Sequence, residues 1–132
     1  MSSDTPRPEH ARRLRHDLGK YVSLQVRWVG EGASPDDLRE ALMADLLATR
    51  RGPDGATDAL TLWAELRADW RGDWANDPDV RRIEHAMAAL EPVVAALRAG
   101  TATHEVVERG VAQARVVSEA TKALADRLRR EG

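Results

Sequence analysis

Asn76-Asp77-Pro78-Asp79-Val80-Arg81-Arg82-Ile83-Glu84-His85-Ala86-Met87-Ala88-Ala89-Leu90 opens the segment whose reading decides the fold. Asn76-Asp77 supplies a helix cap, and Pro78 suits the first helical position, where its missing N–H costs no intrahelical bond. Beyond the cap, Val80, Ile83, Met87, Leu90, Val94 and Leu97 recur at alternating steps of three and four, which makes a narrow apolar seam of the bundle kind. Pro92 lies inside this run and predicts a kink or brief interruption, because it cannot donate to the carbonyl one turn back. Gly100 closes the helix.

Downstream, about Thr103 to Arg129 carries a second seam of Val107, Val111, Ala114, Val117, Thr121, Leu124 and Leu128. Gly110 and Ala114 are small enough there to admit a close neighbour. Upstream, the turn Gly52-Pro53-Asp54-Gly55 precedes a helix from about Thr57 to Trp70, with Leu60, Trp63, Leu66, Arg67 and Trp70 at helical spacing. Before it, Ser34-Pro35-Asp36-Asp37 repeats the cap-and-proline start, Leu38, Ala41, Leu42 and Leu46 form the stripe, and Arg50-Arg51-Gly52-Pro53 closes the element with cations and breakers.

A first helix is expected from about Pro8 to Val29. At 100° per residue, Ala11, Leu14, Leu18, Tyr21, Val22, Gln25, Trp28 and Val29 fall on the side to be buried; Arg12, His16, Lys20, Ser23 and Arg27 fall on the other. Residues 1–7 read as a mobile polar lead-in. No segment reads as a strand. The expected architecture is all-α, an antiparallel helical bundle of about five helices in a single domain over residues 8–132. Its stripes are thin and rich in Ala and Val, which leaves room for a second copy of the chain to complete part of the seam.

The 132 residues are 42% apolar and 32% charged, with no Cys, no Phe and four Trp. That balance excludes a disordered chain, a disulfide scaffold and a thiolate metal centre. The net charge of −2 provides no global basic field, and no nucleic-acid partner is expected. No window approaches the roughly 18 apolar residues of a membrane span, and MSSDTPRPEH lacks a signal's apolar core. A cytoplasmic address without membrane contact is the expectation.

The string Arg12-Arg13-Leu14-Arg15-His16-Asp17-Leu18-Gly19-Lys20-Tyr21 holds the candidate chemistry. His16 is placed on the polar face, with Arg12 one turn before it and Lys20 one turn after. Neighbouring cations favour a neutral, nucleophilic ring, and the same cations can hold the oxygens of a phosphoryl group placed on it. Arg15-His16-Asp17, trailing into Leu24-Gln25, resembles the phosphoacceptor box of histidine phosphotransfer and kinase dimerisation helices. The resemblance covers about a dozen residues and implies a four-helix bundle, often dimeric, that exchanges phosphate with a response-regulator-like protein. It further implies His16 as acceptor, Asp17 as the group that orients it or assists proton transfer, and Arg12 and Lys20 as phosphoryl-stabilising cations. Gly19-Lys20 reverses the Lys-Gly order of monomeric phosphotransfer domains. No glycine-rich nucleotide site is present, so the role implied is that of a carrier rather than a complete kinase, with no cofactor.

Two other readings stand beside it. His16-Asp17 is similar to the doublet of HD metal-dependent phosphohydrolases, which implies further ligands on other helices; the upstream histidine is His10, and His85 and His104 lie far downstream. Glu84-His85 lacks the Glu-x-x-His spacing of di-iron bundles, and no metal site is expected. The second reading is a non-catalytic adaptor. Trp63, Trp70 and Trp74, interleaved with Arg67 and Arg71, make either a partner-binding surface or the bulky packing of a core that has no Phe.

Overall fold

The computed structural model describes residues 8–30, 32–68 and 77–131. Its elements are α1 (Pro8–Leu14), a π turn (Arg15–Gly19), α2 (Leu24–Val29), α3 (Pro35–Leu47), β1 (Arg50–Gly52), β2 (Gly55–Thr57), α4 (Ala59–Ala68), α5 (Pro78–Ala99) and α6 (His104–Glu131). The mostly helical class matches the sequence. Six α-helices rather than about five are found among the described residues, because the first expected helix is broken in two.

The α5–α6 pair is the frame. Asp77 Oδ1 accepts the N–H groups of Asp79 and Val80 at 2.9 and 3.2 Å, which caps α5, while Oδ2 accepts from Arg127 Nη2 at 2.5 Å. One carboxylate therefore starts α5 and pins it to the far end of α6, which fixes the two helices antiparallel. Every seam residue expected on the two helices is buried, from Val80 to Leu97 and from Val107 to Leu128. Gly110 supplies a close approach: a Cβ there would lie 2.7 Å from Val93 Cγ1 and 2.8 Å from Leu42 Cδ2. Gly100 ends α5 at φ +72°, the left-handed cap that glycine adopts without strain. The expected interruption at Pro92 is absent, and α5 continues through it. Pro92 and Ala88 both lie on the exposed face, so the carbonyl that loses its partner faces water.

Ser34 caps α3 by accepting the Asp37 N–H at 3.1 Å, and Leu42 and Leu46 enter the core. The expected absence of strands is corrected over a short stretch, where Arg50 pairs with Thr57 and Gly52 with Gly55 in an antiparallel hairpin around Pro53-Asp54. α3 itself stops at Leu47, short of the expected closing run and with no basic residue in its last turn, and Arg50-Arg51-Gly52-Pro53 instead forms β1 and opens the turn of the hairpin. β2 consumes Thr57, so α4 begins at Ala59, and Asp58 caps it with an oxygen 2.7 Å from the Thr61 N–H. The other Asp58 oxygen accepts from Arg98 Nη2 at 2.6 Å and ties α4 to the end of α5.

The long first helix is corrected most. The backbone N–H of Lys20 donates to the Arg15 carbonyl at 2.8 Å, the i to i+5 bond of a π turn, and the chain then passes through residues 20–23 before α2 begins. Gly19 explains the location, since a Cβ on it would overlap Thr121 Oγ1. The buried leucines and valines run Leu14, Leu18, Val22 and Val26, at a spacing of four. The extra residue rotates the downstream segment: Ser23, expected outside, is buried, whereas Tyr21, Gln25, Trp28 and Val29, expected inside, are exposed.

Candidate functional site

The π turn, α2, α3 and β1 enclose an open depression of about 840 Å³, lined in part by His16, Asp17, Tyr21, Asp45, Arg50 and Arg51. His16 is exposed at its edge while Leu14 and Leu18 on either side are buried, as the polar-face reading requires. Asp17 lies beside it in the chain, and its carboxylate is 3.7 Å from Arg13 Nε.

Asp45 is the residue of this site that sequence reasoning missed. Its two carboxylate oxygens accept the N–H groups of Gln25 and Val26 at 2.9 and 3.0 Å. These are first-turn donors of α2, and Ser23, which precedes them, offers no side-chain cap. Asp45 therefore caps α2 from α3, across the fold. Burial raises its pKa to about 6, against the opposing effect of the two backbone donors. A signal was present: Asp45 falls four residues after Ala41 and three after Leu42, on the apolar stripe of α3, where an acid requires a partner.

The cations arrange themselves differently from the sequence expectation. Arg12 and Lys20 are exposed, but Arg12 lines a separate depression of about 260 Å³ with Pro8, Leu128 and Arg129. The Lys20 ammonium lies 5.7 Å from the centre of the Tyr21 ring. Four-residue spacing aligns side chains on an α-helix, and the wider π turn breaks that alignment. The cations that line the His16 depression are Arg50 and Arg51 of the hairpin; Arg50 also pairs with Glu65 at 2.9 Å. The sequence marks these two only as helix-closing charges.

Trp63 packs into the core at 9% exposure, with the Arg67 guanidinium 5.8 Å from its ring centre and paired with Glu84 at 2.8 Å. It is thus an anchor between α4 and α5 rather than a partner-binding surface. Trp70 and Trp74 lie outside the described residues. Among the described residues, Trp28 is the exposed tryptophan, at 82%.

Among the described residues, no three His, Cys, Asp or Glu side chains gather as a metal ion requires, and no helix is long and apolar enough to cross a membrane. Comparison of the chain with protein-family models, curated proteins and solved structures gives no match.

Proposed function

We propose that this protein is a phosphoryl-accepting helical signalling module in which His16 is the acceptor. The observation that carries the reading is the exposure of His16 on a helical element at the edge of an open depression that Arg50 and Arg51 also line. In the reaction, an imidazole nitrogen lone pair attacks the phosphorus of an aspartyl phosphate on a response-regulator-like partner. The N–P bond forms, the P–O bond to the donor carboxylate breaks, and that carboxylate leaves with the electron pair. Arg50 and Arg51, rather than Arg12 and Lys20, are the cations assigned to the phosphoryl oxygens, because guanidinium forks match them. Asp17, adjacent to His16, accepts or returns the ring proton.

Incubation with acetyl phosphate or a phosphorylated response regulator should give acid-labile, base-stable phosphate on the chain. The His16→Gln variant should carry none. Full labelling of that variant, or no labelling of the wild type, refutes the assignment.

A second reading, a non-catalytic binding module, is favoured by the exposed ring of Trp28 beside the part-exposed Val29. An exposed Trp is the side chain that most often anchors an interface. Under this reading the contact surface includes α2 rather than Trp63.

A further inference from the structure

On another side of the π turn, two cations converge on one buried hydroxyl. Arg15 Nη1 donates to Ser118 Oγ at 3.1 Å and to the Ser118 carbonyl at 3.0 Å, and Arg27 Nη2 donates to the same Oγ at 2.7 Å. The two guanidinium nitrogens therefore lie no more than about 5.8 Å apart, the sum of their distances to that shared atom. Ser118 is 1% exposed on α6, so the hydroxyl is a fixed point rather than a surface group. Among the described residues, neither guanidinium has an ion-pair partner. The carboxylate that acts on Arg15 from a distance is Asp126, which is itself paired with Arg129 at 2.8 Å.

A neutral hydroxyl cannot balance two like charges, and holding them together costs free energy that a bound anion would return. Burial and the nearby Arg27 both lower the pKa of Arg15, as expected for cations gathered without a counterion. Each guanidinium uses a single nitrogen on Ser118, which leaves its other N–H donors without a protein acceptor among the described residues. Planar forks with spare donors are the geometry that binds the oxygens of a tetrahedral oxyanion.

We propose that Arg15 and Arg27, gathered on Ser118, form a binding site for a phosphate-type oxyanion, supplied as inorganic phosphate or as a small phosphate monoester. The site is separate from the His16 depression and does not rest on His16 being phosphorylated. Its ligand joins the π turn and α2 to α6 and thereby stabilises the broken N-terminal segment.

The test is thermal unfolding of the full chain titrated with inorganic phosphate and, separately, with O-phosphoserine, against sodium chloride at equal ionic strength. A saturable rise in melting temperature is expected, because a ligand that binds the folded state stabilises it by mass action. Arg27→Gln, which alters an exposed side chain, should weaken the midpoint by about tenfold or more, and Ser118→Ala should weaken it as well. A tighter midpoint for O-phosphoserine assigns a monoester, and equal midpoints assign the free anion. The His16→Gln variant should respond like wild type, so failure of the phosphoacceptor reading leaves this site standing and the reverse also holds. No rise beyond that in chloride, or a rise unchanged by Arg27→Gln, overturns the proposal.

Discussion

The α5–α6 pair and the Pro8–Val29 segment are built from similar proportions of Leu, Val and Arg taken together, yet the first follows its sequence closely and the second does not. α5 starts on its own aspartate and stops on its own glycine, and its apolar residues recur at the period of an undistorted helix. The N-terminal segment has no such local instructions. Its middle is shaped by contact with Thr121, 102 positions past Gly19, and its second half starts on a carboxylate borrowed from Asp45. A helix that carries its own caps is legible; one finished by distant neighbours is not.

Two glycines, each facing a close neighbour, put this contrast to its most severe test. Gly19→Ala should be the more damaging, by about 3 kcal/mol or more. The atom it meets belongs to a fully buried Thr121, whose hydroxyl is held by donation to the Val117 carbonyl at 2.8 Å. Gly110→Ala meets the terminal methyls of Val93 and Leu42 instead, and should cost about 1–2 kcal/mol. Chemical denaturation of both variants decides the order. Equal losses would mean that the π turn is not set by the Gly19–Thr121 approach.

Asp45 gives a second, smaller contrast. Asp45→Ala strands two first-turn N–H groups and should destabilise by about 2 kcal/mol, whereas Asp45→Asn keeps an oxygen acceptor and should lose less. The pH dependence has a definite sign. Because the folded pKa is raised to about 6, the folded state holds this proton more tightly than the unfolded chain. The stabilisation is fully present below the ordinary carboxylate range and is lost as pH rises through about 6. A plot of stability against pH should therefore contain a component that falls from about pH 4 to 6 in wild type and is missing in Asp45→Asn.

The least disruptive change should be Trp28→Ala, within about 0.5 kcal/mol, since an exposed ring contributes little to folding. A loss of several kcal/mol by urea unfolding would show that Trp28 is packed, and would remove the observation behind the binding-module reading.

The candidate site was legible in part. His16 was readable as an exposed residue between buried leucines, because Leu14 and Leu18 set the face locally. Its companions were not. Arg50 and Arg51 reach the same depression through a hairpin that three-residue strands barely announce, and Asp45 reaches it from the stripe of another helix. Trp28 left its expected place on the buried face for the same reason, since it lies beyond the π turn, where the period has slipped. Trp63 lies on an intact helical period and took the packing role, one of the two that the sequence left open.

Local chemistry written in the chain is enough to specify the mostly helical class, the start of α3, both ends of α5, and the seams of α5 and α6, because caps and a 3.6-residue repeat act within a few residues of where they stand. Packing had to decide where the first helix breaks, which face α2 shows and which charges gather around His16 and Ser118. Those depend on a glycine fitting against one threonine and a carboxylate meeting two backbone N–H groups 19 and 20 residues away. Contacts between separate helices exist only once those helices have packed.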